Sequence, residues 1–127
     1  MKFGYTILYV ADVKKSITFY EAAFGLTAKF VHDSGDFGEP LTGATALAFT
    51  SHQLLRSLGK HPAAADPAAP CFEIALVTSD VAAGVDRATK AGATLKRAPE
   101  VMPWGQTIAY VADLDGFLVE ICTPVGA

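Results

Sequence analysis

The chain carries one pattern twice, and that repeat limits its folds more than any other feature. "YTILYVADV" (5–13) overlays "EIALVTSDV" (73–81), so that Asp12 falls on Asp80, and "LAFTS" (47–51) later overlays "VEICT" (119–123). Each copy opens with an apolar, β-branched run that reads as a strand. An aspartate follows, able to cap a helix by accepting from the free N–H groups of its first turn. Apolar residues then recur at helical spacing: Val13, Ile17, Tyr20 and Phe24 in the first copy, Val81, Val85 and Ala88 in the second. Gly25 and Gly92 end those stripes.

The remaining strands follow in the same order. "LTAKFVHD" and "ATALAFTS" read as strands of the first copy, with Gly35, Gly38 and Gly43 as turn residues between them. "TLKRAPEV", "QTIAYVAD" and "FLVEICTP" read as strands of the second, the last two joined by an "LDG" hairpin turn. Between the copies, "RSLGKHPAAADPAAP" (56–70) reads as a linker, which leaves module one at 1–55 and module two at 71–127 of a single domain. Each module is thus strand-helix-strand-strand-strand. One such module cannot bury both faces of its sheet, because a single helix covers only one. The expected architecture is α+β: two βαβββ modules forming a cupped, mixed sheet of about eight strands with the helices outside. The hollow of that cup is the default small-molecule site.

Composition excludes several function classes. With 127 residues, 51% hydrophobic and 18% charged, the chain suits a soluble globular protein. The net charge of −3, without a basic stripe, gives no reason to expect nucleic acid, and no apolar run is long enough for a membrane span. "MKFGYTILYVAD" lacks the layout of a signal peptide. Cys71 and Cys122 are too few for a disulfide framework and suit a reducing cytoplasm, with a bond between them left open.

Strand alternation assigns the faces. If Leu8 and Val10 lie under the first helix, then Tyr5, Ile7 and Tyr9 face the hollow, as do Ala46, Ala48 and Thr50. The same parity turns Glu73, Ala75 and Val77, and Leu118, Glu120 and Cys122, toward it. Two carboxylates on an apolar face raise each other's pKa by repulsion and desolvation. Three readings stay open for them: attraction of a cation, general acid–base work on a shared proton, or a structural hydrogen bond from Glu120 to Tyr5 or to backbone. Trp104 in "PWGQ" either stacks on a planar ligand or packs its loop onto the core. His52, just after a strand, is an acid–base candidate or a surface histidine. Cys122 reads as a small apolar filler of the site wall rather than a nucleophile. The parity of Tyr110 is ambiguous.

"ILYVADVKKSITFYEAAFGL", "FEIALVTSDVAAGVDRATKAGA" and "PWGQTIAYVADLDGFLVEICTP", in this order and spacing, resemble the vicinal oxygen chelate superfamily of glyoxalase I, bleomycin-resistance proteins and extradiol dioxygenases. The resemblance implies a cup of two βαβββ modules and a homodimer. In metal-dependent members of that superfamily, four symmetry-related residues hold one divalent ion. Their counterparts here are Tyr5, approximately Ala48, Glu73 and Glu120. Glu120 matches the family's last carboxylate ligand, whereas Tyr5 replaces a histidine and Ala48 has no donor. The resemblance therefore implies binding of a small organic molecule without a catalytic metal. Glu73 and Glu120 would act as the chemical groups, and Tyr5, Ile7, Tyr9, Ala48, His52, Trp104 and Cys122 would line the site. The alternative is a glyoxalase-like lyase or isomerase with Mn, Mg, Ni or Zn on Glu73 and Glu120. A third is a scaffold whose hollow is filled by side chains.

Overall fold

Asp12 and Asp80 do cap helices. The computed structural model describes residues 1–126. Among them, the order is β1 (Thr6–Val10), α1 (Val13–Phe24), β2 (Ala28–Val31), β3 (Phe37–Pro40), β4 (Leu47–Ser51), α2 (His52–Ser57), β5 (Ile74–Val77), α3 (Val81–Lys90), β6 (Thr94–Val101), β7 (Thr107–Ala112) and β8 (Leu118–Cys122). The elements fall into two compact units, residues 1–63 and 64–127. Each unit holds a four-stranded mixed sheet, ordered β1-β4-β3-β2 in the first and β5-β8-β7-β6 in the second. The class is α+β, built of two βαβββ modules.

The repeat extends to hydrogen-bond register. β1 runs parallel to β4 with Thr6 opposite Leu47, and β5 runs parallel to β8 with Ile74 opposite Val119. These are the residues that overlay in the sequence.

In the first unit the Asp12 carboxylate accepts from the Lys15 N–H at 3.1 Å and starts α1. Gly25, at φ 71°, closes it in the left-handed conformation that side chains disfavour. The apolar stripe of α1 lies on Leu8, Val10, Leu47 and Phe49, all buried, with the Tyr20 and Phe49 ring centroids 4.9 Å apart. Burial of each such side chain is worth about 2 kcal/mol.

Two expectations need correction here. Gly38 is not a turn residue but lies inside β3, where a Cβ would sit 3.0 Å from Val13 Cγ1. The glycine lets α1 press against the sheet, and a strand with so little side chain carries no periodicity to read. The second correction is α2, which begins directly at the end of β4. The Ser51 hydroxyl accepts from the Leu54 N–H at 3.0 Å and caps it. With only Leu55 buried, α2 shows no apolar stripe. It takes the first two positions of the expected linker, and residues 58–73 carry no helix or strand.

In the second unit Asp80 Oδ1 accepts from the Ala83 N–H at 3.0 Å. Val81, Val85 and Ala88 of α3 cover Val119 and Ile121 of β8 and Ala109 and Val111 of β7. Gly84 is the point of closest approach, since a Cβ there would lie 3.0 Å from Ile121 Cγ2. The β7–β8 hairpin turns on Asp113, whose Oδ1 accepts from the Asp115 and Phe117 N–H groups at 2.9 Å each. β6 is an edge strand, exposed along its length, with Pro99 and two register shifts that discourage further pairing. Cys71 and Cys122 are both free thiols.

Candidate functional site

Val119 and Ile121 point under α3, so Glu120 between them projects from the opposite face of the second sheet. That face has no helix of its own unit. Glu120 lies across from Ala75 on β5 and from Tyr110 on β7. The Tyr110 hydroxyl donates to Glu120 Oε2 at 3.0 Å. Glu73 stands one residue before β5, on the face of Ala75, which brings its carboxyl group beside that of Glu120. Two neighbouring carboxyl groups resist ionising together. The hydrogen bond with Glu120, then burial, then the Glu120 charge push Glu73 up to about 7. Burial alone would raise Glu120 as well, but hydrogen bonds from Glu73, Cys122 and Tyr110 outweigh it and hold Glu120 below its ordinary value. The two shifts thus run in opposite directions, Glu73 upward and Glu120 downward.

Two more groups complete the cluster. Burial, and then the bond to Glu120, push the Tyr110 phenol up to about 12. Burial, and then Glu120, push the Cys122 thiol up to about 11, and its Sγ lies 3.8 Å from the Leu76 carbonyl oxygen. A neutral, buried thiol is a wall and a weak donor, not a nucleophile. Gln106 borders Cys122 on one side. On the other, its Nε2 donates to the Thr123 carbonyl and its Oε1 accepts from Trp104 Nε1, both at 2.9 Å. Gln106, bonded to the Trp104 indole, thus lies beside Cys122, the neighbour of Glu120 on the same face of β8.

Among the residues expected from sequence, the structure brings together Glu73, Glu120 and Cys122 and ties Trp104 to them through Gln106. Trp104 is 63% exposed, which removes the reading in which it packs its loop onto the core. The phenol bonded to Glu120 belongs to Tyr110 and not to Tyr5. The sequence left the face of Tyr110 ambiguous and gave no signal for Gln106. Counting back from the Asp113–Gly116 turn would have placed Tyr110 opposite Glu120, but the sequence does not state which residue starts the pairing.

Tyr5, Ile7, Tyr9, Ala48 and His52 belong to the first unit. Tyr5, Ile7 and Tyr9 are exposed on the face of its sheet away from α1, with Lys60 Nζ 5.9 Å from the Tyr9 ring centre. Ala48 pairs with Ile7 and has no exposed surface. His52 opens α2, and its Nε2 lies 3.1 Å from the Tyr9 carbonyl oxygen. A carbonyl only accepts, so Nε2 carries the proton and Nδ1 is the nitrogen left for chemistry. A separate hollow of about 110 Å³ lies beside Glu39 and Lys29, whose carboxylate and ammonium are 3.8 Å apart. It is smaller than the several hundred cubic ångströms of typical ligand pockets (~300 Å³ and above).

The donors do not fit the four-ligand metal centre of the resembling superfamily. Ala48 has no donor atom, and the Tyr110 phenol beside Glu120 is held neutral. Among the described residues no group of three or more His, Cys, Asp or Glu side chains is placed to hold a metal ion. None of the described helices is long and apolar enough to cross a membrane.

The family model of the Glyoxalase/Bleomycin resistance protein/Dioxygenase superfamily matches residues 2–121. Among curated proteins none matches. A glyoxalase-related enzyme from Fulvimarina pelagi is similar in structure with a TM-score of 0.82 at 24% identity, over 97% of this chain and 88% of that one. A glyoxalase/bleomycin resistance protein/dioxygenase family enzyme from Burkholderia phytofirmans gives 0.77 at 20% identity, over 94% and 95%. The bleomycin resistance determinant encoded on transposon Tn5 gives 0.66 at 23% identity, over 97% and 98%. At these identities the structural likeness speaks for the fold.

Proposed function

The chain belongs to the glyoxalase/bleomycin resistance protein/dioxygenase superfamily, and on that premise we propose that it binds a small organic molecule bearing a basic group, through Glu73 and Glu120. The observation that carries this reading is the placing of Glu73 beside Glu120, with the Tyr110 phenol bonded to Glu120, on the helix-free face of the second sheet. Such a pair is an acidic socket for a ligand cation, and it needs no metal to be one. Tyr110 orients Glu120 from one side. Trp104, exposed and held by its N–H, offers an aromatic surface to the rest of the ligand. Binding and sequestration require only this preformed arrangement. A homodimer in the cytoplasm, implied by the family resemblance and by the lone thiols, completes the reading, and sedimentation of the purified protein tests its oligomeric part.

A thermal-shift screen of planar amines and amidines against matched neutral and acidic molecules tests the recognition. Bases should dominate the hits, and Glu73→Gln or Glu120→Gln should lower the affinity of each hit at least tenfold. Hits that keep their affinity in both variants would remove the carboxyl groups from recognition.

A further inference from the structure

We propose that the hollow beside Glu39 in the first unit binds a small free α-amino acid, with the ligand ammonium on the Glu39 carboxylate and the ligand carboxylate on the Lys29 ammonium. None of its residues belongs to the second unit, so this binding does not depend on Glu73 or Glu120.

Strand parity places the carboxylate. Gly38 turns toward α1, where a Cβ would lie 3.0 Å from Val13 Cγ1, so Glu39 turns to the opposite face of the sheet, across from Phe30 on β2. Its side chain is nonetheless nine-tenths buried. A carboxylate withdrawn from water to that extent calls for strong polar partners. Its ionic partner among the described residues is the Lys29 ammonium at 3.8 Å, too long for a hydrogen bond (~3.2 Å at most). Lys29 is half exposed, so the burial of Glu39 is not matched by burial of its counter-charge. Both side chains line the hollow of about 110 Å³, whose walls include Leu41, Thr42, Gly43 and Ala46.

Those walls are preformed. The Leu41 N–H donates to the Thr27 carbonyl at 2.7 Å. The Thr42 hydroxyl donates to the Thr45 carbonyl at 2.6 Å and accepts from the Leu47 N–H at 3.3 Å, which ties the turn to the start of β4.

Charge and size then select the occupant. A lone cation would gain Glu39 but meet Lys29, and a lone anion would gain Lys29 but meet Glu39. A zwitterion meets each pole with the opposite charge and leaves neither uncompensated. A cavity of about 150 Å³ takes benzene, so 110 Å³ holds roughly five or six heavy atoms, the size of glycine or alanine.

Amide NMR of the isotope-labelled protein, titrated with glycine and L-alanine, tests the site; methylammonium and acetate serve as single-charge probes. Both amino acids should shift the amides of Lys29 and of residues 41–46 saturably, and each single-charge probe should bind about tenfold more weakly or worse. Glu39→Gln and Lys29→Met should each weaken glycine binding by a similar factor. Lys29→Met alters a half-exposed side chain, so it decides the matter even where Glu39→Gln fails to fold. Methylammonium or acetate binding as tightly as glycine would overturn the proposal, as would glycine keeping its affinity in Lys29→Met. Shifts confined to the second unit, or none with either amino acid, would overturn it too, and would leave the reading of Glu73 and Glu120 as it stands.

Discussion

Tyr110 and Glu120 face each other across adjacent antiparallel strands, and the phenol donates to the carboxylate at 3.0 Å. This contact makes the two carboxyl groups unequal. Glu120 receives the phenol bond and is held below its ordinary value, and Glu73 beside it is pushed up to about 7. Tyr110→Phe removes the donor without changing the ring. It should destabilise the second unit by about 1 kcal/mol, the usual worth of a half-exposed hydrogen bond. It should also raise the titration of both carboxyl groups, which side-chain carbon NMR shifts would follow. Unchanged shifts would mean that the phenol does not order the pair.

Stability should depend on pH through Glu73. Its folded pKa of about 7 lies above the ordinary glutamate value of 4.5, so between these values the folded chain holds a proton that the unfolded chain has lost. The contribution is complete below the ordinary value and disappears as pH rises through the folded one. Glu120 has the opposite sign in a lower window: its contribution is present above the ordinary value and is lost as pH falls through its depressed one. Measured as Tm, the wild type should therefore fall relative to Glu73→Gln from about pH 4.5 to about pH 7, with a constant difference above that range. A difference that does not vary with pH would place the proton elsewhere.

The two helix caps should behave alike because they are copies. Asp12→Ala and Asp80→Ala each remove a side-chain acceptor from the first turn, of α1 and α3 respectively. Each should cost about 1 kcal/mol in denaturant unfolding, while Asn at either position should recover most of it.

Gly84→Ala should destabilise despite the better helix propensity of alanine. The propensity gain is about 1 kcal/mol. The added Cβ would meet Ile121 Cγ2 at 3.0 Å, and Ile121 is a buried core residue. Overpacking of this kind costs about 1–3 kcal/mol. A stabilised variant would show that α3 shifts freely on its sheet.

Gln106→Leu should uncouple Trp104 from the carboxyl pair. The chain has one tryptophan, so intrinsic fluorescence reports it alone. In the wild type, emission should change with pH as the pair titrates, and in the variant that change should be lost while the fold is retained by circular dichroism. Persistence of the pH response would show that the link through Gln106 and Cys122 is not the route.

What the sequence determined by itself is what depends on short stretches of chain. The aspartate caps, the stripes at Val13, Ile17 and Tyr20 and at Val81, Val85 and Ala88, and the inside–outside parity of Leu8 and of Glu120 are properties of a few consecutive residues. Duplication then repeated them in the same order. The repeat even carried the register of β1 on β4 and of β5 on β8, since modules of the same pattern pair alike. Only the tertiary structure decided which groups meet. Gly38 became a strand residue because α1 lies against it, a contact made from the far side of a loop. Tyr110 and Gln106 entered the site because hairpin register and strand order place them beside Glu120 and Cys122. The protonation of Glu73 has the same origin. A carboxyl group on an isolated peptide titrates by its own chemistry, and here it titrates by the company of a second one brought to it from 47 residues along the chain.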